Sequence, residues 1–313
     1  MLILKIALPI LALALVLALG TMCVCFFLTF YAPKKVRKPK REYATPPQAY
    51  YDPYRAQMIE WQKAVRKMEH KEYSIVSQDG LTLRGKFYEH KPGATIELMF
   101  HGYKGTAERD LCGGIHRCFE VGHSAFVVDH RAAGASEGRV ITFGVKESLD
   151  AVLWAKFVVE NIDPDAKIIM TGISMGAATV LTAASMELPQ NVVGILADCG
   201  YTSTKDIIKK VMRDMKLPAN LLYPFARLAA RVFGGFDPEE RSPIESMKST
   251  KLPVIFFHGD TDDFVPCYMS EQNFAACASE KKRLVITQGA GHGLCFPVDS
   301  DGYLAALREF FGE

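Results

Sequence analysis

From residue 6 to residue 30 the chain carries no charge and consists mostly of Leu, Ile, Val, Ala and Phe. As a helix this stretch would extend about 38 Å at ~1.5 Å per residue, more than the ~30 Å of a bilayer's hydrocarbon core, so tilt would have to absorb the excess. A cleaved signal peptide competes with this reading, because Ala18-Leu19-Gly20 would pass as a small-residue cleavage site. Against it, the apolar run continues well past that point, and Lys5 is the only charged residue ahead of it. The pattern therefore predicts an uncleaved membrane anchor over residues 1–32. Residues 33–70 read as a basic linker followed by a juxtamembrane helix. The part from 33 to 53 is rich in Pro and Tyr and is expected to be extended, reaching up to about 65 Å at ~3.1 Å per residue. Beyond it, Met58, Trp61, Val65 and Met68 recur at helical spacing and predict one docked helical face.

From residue 71 the rhythm changes. Runs at 73–77 and 81–89 flank Gln78-Asp79-Gly80, a hairpin signal because Asp-Gly suits the positive φ of tight turns. Short apolar runs then predict buried strands at 95–100, 124–129, 167–172, 192–198, 253–258 and 283–288. Between most of them lie helical patterns at 108–121, 143–162, 175–187, 267–279 and 300–311. This alternation predicts an α/β fold over 71–313, with a mainly parallel sheet covered by helices on both faces. Ligands in such sheets bind beyond the carboxyl ends of the strands. The interval between 198 and 253 is too long for one crossover, and helical patterns at 206–215 and 221–233 predict a small cap at about 203–250.

Charge refines the picture. Seven of the 37 basic residues lie at or before Arg41, and no acidic residue precedes Glu42, so residues 42–313 carry 30 basic and 35 acidic side chains, a net of −5. That balance gives no electrostatic footing for nucleic acid. Six basic residues between Lys34 and Arg41 follow the apolar span, against Lys5 and the amino terminus before it. The positive-inside rule therefore places the body in the cytoplasm. The six cysteines of the body form no CxxC pair or ligand-like cluster, which favours reduced thiols over disulfides and argues against a metal site.

The candidate chemistry lies at the strand ends. Gly172-Ile-Ser174-Met-Gly176 joins a strand to a helix, the setting in which a G-x-S-x-G turn exposes a nucleophilic hydroxyl. The same pattern at Gly134-Ala-Ser136-Glu-Gly138 has no helix after it and reads as a loop. A nucleophilic serine needs a base and a third group that orients the base. His292, in Gly289-Ala-Gly-His-Gly293 after the last strand, is the candidate base. His101 and His258 also end strands, but each begins a His-Gly turn with a structural reading. The acid belongs to Asp260, Asp262 or Asp263 after the strand at 253–258.

Taken in order, His101-Gly102-Tyr103, Asp129-His130-Arg131, Gly172-Ile-Ser174-Met-Gly176, His258-Gly-x-x-Asp262 and Gly291-His292 resemble the α/β-hydrolase superfamily, in particular small serine hydrolases with an N-terminal membrane anchor. The resemblance selects Asp262 as the acid. It also implies an oxyanion hole formed by the backbone N–H groups of Tyr103 and Met175. It implies a serine hydrolase that cleaves carboxylic esters or thioesters through an acyl-enzyme, with no metal or organic cofactor. A serine peptidase or acyltransferase would use the same parts, and a catalytically silent tethered binding protein is the alternative from another class. The expected partners are a small-molecule or lipid-like acyl ester and, through residues 6–30, a membrane. Apolar residues of the cap, such as Leu221, Phe225 and Val232, are expected either to pack on the body or to line an acyl-selective mouth.

Overall fold

The computed structural model describes residues 2–33 and 42–312. β1 (Lys71–Val76) and β2 (Thr82–Tyr88) pair antiparallel around the Asp79-Gly80 turn, in which Ser77 Oγ donates to Asp79 Oδ1 at 2.7 Å. Six further strands follow: β3 (Ile96–Phe100), β4 (Ser124–Asp129), β5 (Ile168–Ile173), β6 (Val192–Asp198), β7 (Val254–Gly259) and β8 (Lys282–Thr287). Together they form one eight-stranded sheet in the order β1-β2-β4-β3-β5-β6-β7-β8. β2 pairs antiparallel with β1 and β4, and every other pairing is parallel. Each strand expected from the sequence is present, with ends displaced by no more than two residues.

The inner strands show no alternation because apolar layers cover both of their faces. Leu98 and Phe100 of β3 and Phe126 of β4 join one layer, which also takes Trp154 of α4 (Val145–Asn161) and Leu181 of α5 (Met175–Ala183). Met99 and Val127 join the opposite layer, with Trp61 of α2 (Arg55–Lys67), Ile115 of α3 (Ala107–Glu120) and Leu307 of α11 (Ser300–Phe311). Glu97 sits in this second layer fully buried. Arg117 and His123 bond to it, and Thr171 Oγ1 donates to its Oε2 at 2.8 Å. Burial alone would raise its pKa, but Arg117 and His123 outweigh that and hold the carboxylate ionised. Between β6 and β7 run α6 (Thr204–Asp214), α7 (Ala219–Gly234) and the short α8 (Pro243–Met247), followed after β7 by α9 (Tyr268–Ala276) and then, after β8, by the four-residue α10 (Cys295–Val298). α8 and α10 are too short to leave a periodic signature in the sequence.

The N-terminal apolar helix is present as expected, but neither it nor the segment after it is a free tether. α1 (Leu2–Thr29) is a helix long and apolar enough to cross a membrane. Its last turns, however, are part of the folded body: Met22, Cys25, Phe26 and Phe30 are buried. The Phe30 ring lies 5.8 Å from that of Phe143 and 5.4 Å from that of Phe236, and Phe26 meets Phe233 of α7 at 5.6 Å. Backbone pairing seals the joint, with Ile141 N donating to Phe30 O at 2.8 Å and Ala32 N to Arg139 O at 2.9 Å. The end of the expected linker is also not extended. Ala49–Tyr54 is a 3₁₀ helix leading straight into α2, and Tyr51 within it is buried. Apolar aromatic side chains in both segments find partners on the body, which overrides the linker-like composition. The basic run at 34–41, on which the expected cytoplasmic placement rests, lies outside the described residues.

Phe30→Ala should therefore destabilise the whole body by about 3–5 kcal/mol, the usual cost of emptying a buried phenylalanine site. Thermal unfolding of the full chain in detergent would show it as a lowered Tm, whereas Leu15→Ala, at an exposed position of the same helix, should leave the Tm unchanged. Equal Tm values for both variants would mean that α1 is a free appendage.

Candidate active site

β5 ends at Ile173, and the chain turns sharply into α5 through Ser174, whose φ of 56° and ψ of −115° lie where non-glycine residues are rarely found. Two glycines make the turn possible. A Cβ on Gly172 would sit 2.2 Å from the Gly176 backbone, and one on Gly176 would sit 1.9 Å from the carbonyl oxygen of Phe100. The bend is pinned further by Ser174 N donating to Asp198 O at 2.8 Å.

The structure brings the three expected side chains together. His292 Nε2 lies 2.9 Å from Ser174 Oγ, and His292 Nδ1 lies 2.7 Å from Asp262 Oδ2. The other carboxylate oxygen of Asp262 accepts from Phe264 N at 3.0 Å and Val265 N at 2.8 Å, and His258 Nε2 approaches Oδ2 at 3.2 Å. Burial pushes the pKa of Asp262 up, but the bonds from His258 and His292 prevail and leave it below the usual carboxylate range. Asp260 instead accepts from Gly289 N at 2.6 Å and so shapes the loop that carries His292, while Asp263 is exposed. Tyr51 supports the same loop by donating its hydroxyl to His292 O at 2.7 Å. The second G-x-S-x-G serine is structural: Ser136 is buried, donates to Asp129 O at 2.6 Å and accepts from Arg84 N at 2.8 Å.

The turn at His101-Gly102-Tyr103 borders the serine, since a Cβ on Gly102 would lie 3.6 Å from Ser174 Cβ. His101 shapes this turn through Gly102 O at 2.7 Å and His130 N at 3.0 Å. Neither Tyr103 N nor Met175 N has an acceptor among the described residues, and Met175 opens α5, where the helix dipole favours negative charge. The Tyr103 side chain points elsewhere. Its hydroxyl donates to Thr29 O at 2.6 Å, and Lys104 Nζ donates to Leu28 O at 3.1 Å, so two residues of this turn cap the carboxyl end of α1.

Beside Ser174 and His292 opens a cavity of about 450 Å³. Its apolar walls include Met58 and Trp61 of α2, Met99 of β3, Leu111 of α3, Leu196 of β6 and Phe296 of α10. No residue between 203 and 250 lines it: of the two readings of the cap's apolar residues, Phe225 follows the one that packs on the body, and Leu221 and Val232 are exposed rather than at a mouth. α6 and α7 pack instead against the end of α1 and the carboxyl edge of the sheet, α8 packs on α5 and α9, and the segment from Pro46 to Trp61 encloses the cavity. The sequence had marked Met58 and Trp61 only as a packing stripe. It had not marked Asp198, whose position at the carboxyl end of β6 was the available signal. That carboxyl lines the cavity, accepts from Tyr303 at 3.2 Å, and is pushed up to about 6 by burial.

Cys199, Asp262 and His292 also bring three potential metal-ligand atoms within 4.8 Å of one another. A metal would need the thiolate, but burial pushes the Cys199 thiol well above its ordinary value. Both ring nitrogens of His292 are also engaged by Ser174 and Asp262. The donor set therefore suits a hydrogen-bonded relay rather than a cation. All eight cysteines are free thiols.

No protein-family model matches the sequence. Among relatives, it is 24% identical to the uncharacterized protein YqkD of Bacillus subtilis over 253 residues, covering 79% of this chain and 81% of that one. Among solved structures, it is similar to the Pyrococcus furiosus esterase Pf2001, with a TM-score of 0.66 at 22% identity over 87% of this chain and 98% of that chain. It is also similar to mouse alpha/beta hydrolase domain-containing protein 10, with a TM-score of 0.56 at 16% identity over 77% and 98% of the two chains. The chain has the α/β-hydrolase fold.

Two substitutions test the geometry through the rate at which a fluorophosphonate labels Ser174. Asp262→Asn should slow labelling by on the order of 10³–10⁴, because it favours the wrong tautomer of the base, whereas Asp260→Asn and Asp263→Asn should cost far less. Similar rates for the three would leave the acid unassigned. Tyr103→Phe removes a bond of about 1 kcal/mol that ties the turn to α1 and should slow labelling about fivefold. An unchanged rate would mean that the turn holds its shape without α1.

Proposed function

We propose that this chain is a membrane-held serine hydrolase that cleaves carboxylic esters or thioesters. The observation that carries the reading is the unbroken relay from Ser174 Oγ through His292 to Asp262, at the mouth of an apolar cavity. In the proposed reaction His292 Nε2 takes the hydroxyl proton as Ser174 attacks the substrate carbonyl. Asp262 stabilises the resulting imidazolium from the Nδ1 side. The N–H groups of Tyr103 and Met175 receive the charge that develops on the carbonyl oxygen, each worth about 2.7–4 kcal/mol in the transition state. His292 then protonates the departing alcohol or thiol, and water, deprotonated by the same imidazole, releases the acid.

The cavity supports an acyl group of medium length as the preferred substrate portion. Its walls are mostly apolar, its volume lies within the ~300–1,000 Å³ range of small-molecule sites, and each buried CH₂ contributes about 0.8 kcal/mol. α1 supports a membrane location, with the body held directly against the bilayer rather than at the end of a tether.

A ladder of p-nitrophenyl esters from acetate to laurate tests the substrate class. The expected kcat/KM rises about fourfold per added methylene until the cavity is full, then falls. A maximum at acetate, or faster cleavage of peptide amides than of any ester, would overturn the acyl preference. On the same substrates Ser174→Ala should lose about 10⁶ in kcat, while Ser136→Ala should retain activity if it folds.

A further inference from the structure

α7 is apolar on both sides, which a helix at a protein–water surface ordinarily is not. Tyr223, Ala226, Ala229 and Ala230 are buried against the body, yet Leu221, Pro224, Leu228 and Val232 form a second stripe, at i, i+3, i+7 and i+11, that faces outward. Leu221 is 64% exposed, Leu228 47% and Val232 60%. Met215 and Leu217, in the turn that leads into the helix, extend the patch. An exposed apolar patch of this extent marks an interaction surface.

The position of α1 names the occupant. Its uncharged stretch runs from residue 6 to residue 30, and the part from Met22 to Phe30 carries the side chains docked on the body. That leaves the uncharged residues 6–21, about 24 Å of helix, for the hydrocarbon, so the body must sit close against the bilayer if they are to cross it. α7 packs on α1 where the helix leaves this span, with Phe233 against Phe26. Of the seven basic side chains between residues 204 and 235, Arg227 and Arg231 pair with Asp237, Lys205 with Glu239 and Lys210 with Asp214, while Lys209, Arg213 and Lys216 have no acidic partner among the described residues. We propose that the outward stripe of α7 lies in the membrane interface, dipping its leucines and Val232 to the level of the acyl-chain boundary, with Lys209, Arg213 and Lys216 facing anionic headgroups. The inference rests on the reading of α1 as a bilayer span.

The test places single tryptophans in the full chain, reconstituted in vesicles of phosphatidylglycerol and a phosphatidylcholine brominated near the glycerol end of its acyl chains. The native Trp61 and Trp154 are buried and give a common background. Leu13→Trp reports the span, Leu228→Trp the stripe, and Glu280→Trp the opposite edge of the sheet. The expected result is strong bromine quenching for Leu13→Trp, at least half that extent for Leu228→Trp, and none beyond background for Glu280→Trp. Quenching at Leu13→Trp with only background at Leu228→Trp would overturn the α7 contact and leave the span intact. Shielding of Leu228→Trp from both bromolipid and aqueous iodide would assign the stripe to a second copy of the chain and overturn it equally. Background quenching at Leu13→Trp would remove the span, and the proposal with it.

Discussion

The backbone of α5 passes so close to the end of β3 that no side chain fits between them: a Cβ on Gly176 would lie 1.9 Å from Phe100 O. This contact fixes the entry angle of α5 and forces Ser174 into its positive-φ turn. It also brings the His101-Gly102-Tyr103 turn, which continues directly from β3, alongside the serine. The nucleophile, the start of α5 and the neighbouring N–H donor thus depend on one steric constraint between two parallel strands and a helix. The His292 loop and Asp262 approach from β8 and β7 and complete the relay on this scaffold.

A second coupling runs outward from the same turn. Tyr103 offers its backbone to the site and its hydroxyl to the carboxyl end of α1. The last carbonyls of a helix need donors, and here Tyr103 and Lys104 supply them from the wall of the cavity beside Ser174. Aromatic packing of Phe26 and Phe30 against Phe233, Phe143 and Phe236 holds the joint. The segment that looked like an appendage is therefore structurally continuous with the part of the molecule that would stabilise an oxyanion.

Sequence reasoning left the cap's apolar residues between packing on the body and lining the cavity, for a physical reason. Apolar residues in a long insertion look like pocket walls when only their composition is known. α7 buries one apolar stripe in the cluster around α1 and turns the other outward. The residues from Pro46 to Trp61, which looked like linker and packing stripe, close over the space beside Ser174. Tyr51 reaches His292 O across 241 positions of chain, a contact that no local pattern encodes.

The sequence by itself determined the strand set and the sharp Gly-x-Ser-x-Gly turn, and it singled out His292 as the partner of Ser174, because these depend on local rules. Two-faced burial produces unbroken apolar runs, and a sharp strand-to-helix turn demands small residues at fixed offsets around Ser174. The hairpin at Asp79-Gly80 and the heptad-like stripe of Met58, Trp61, Val65 and Met68 were legible on the same grounds. Spacing left Asp260, Asp262 and Asp263 open and only the resemblance picked Asp262; the tertiary structure brings that carboxylate to His292 and turns Asp260 to the loop backbone. It alone decided that α1 docks, that Asp198 joins the cavity, and which helices enclose it. Those outcomes depend on which surfaces meet after the sheet has formed, and contacts between distant segments leave no period in the chain.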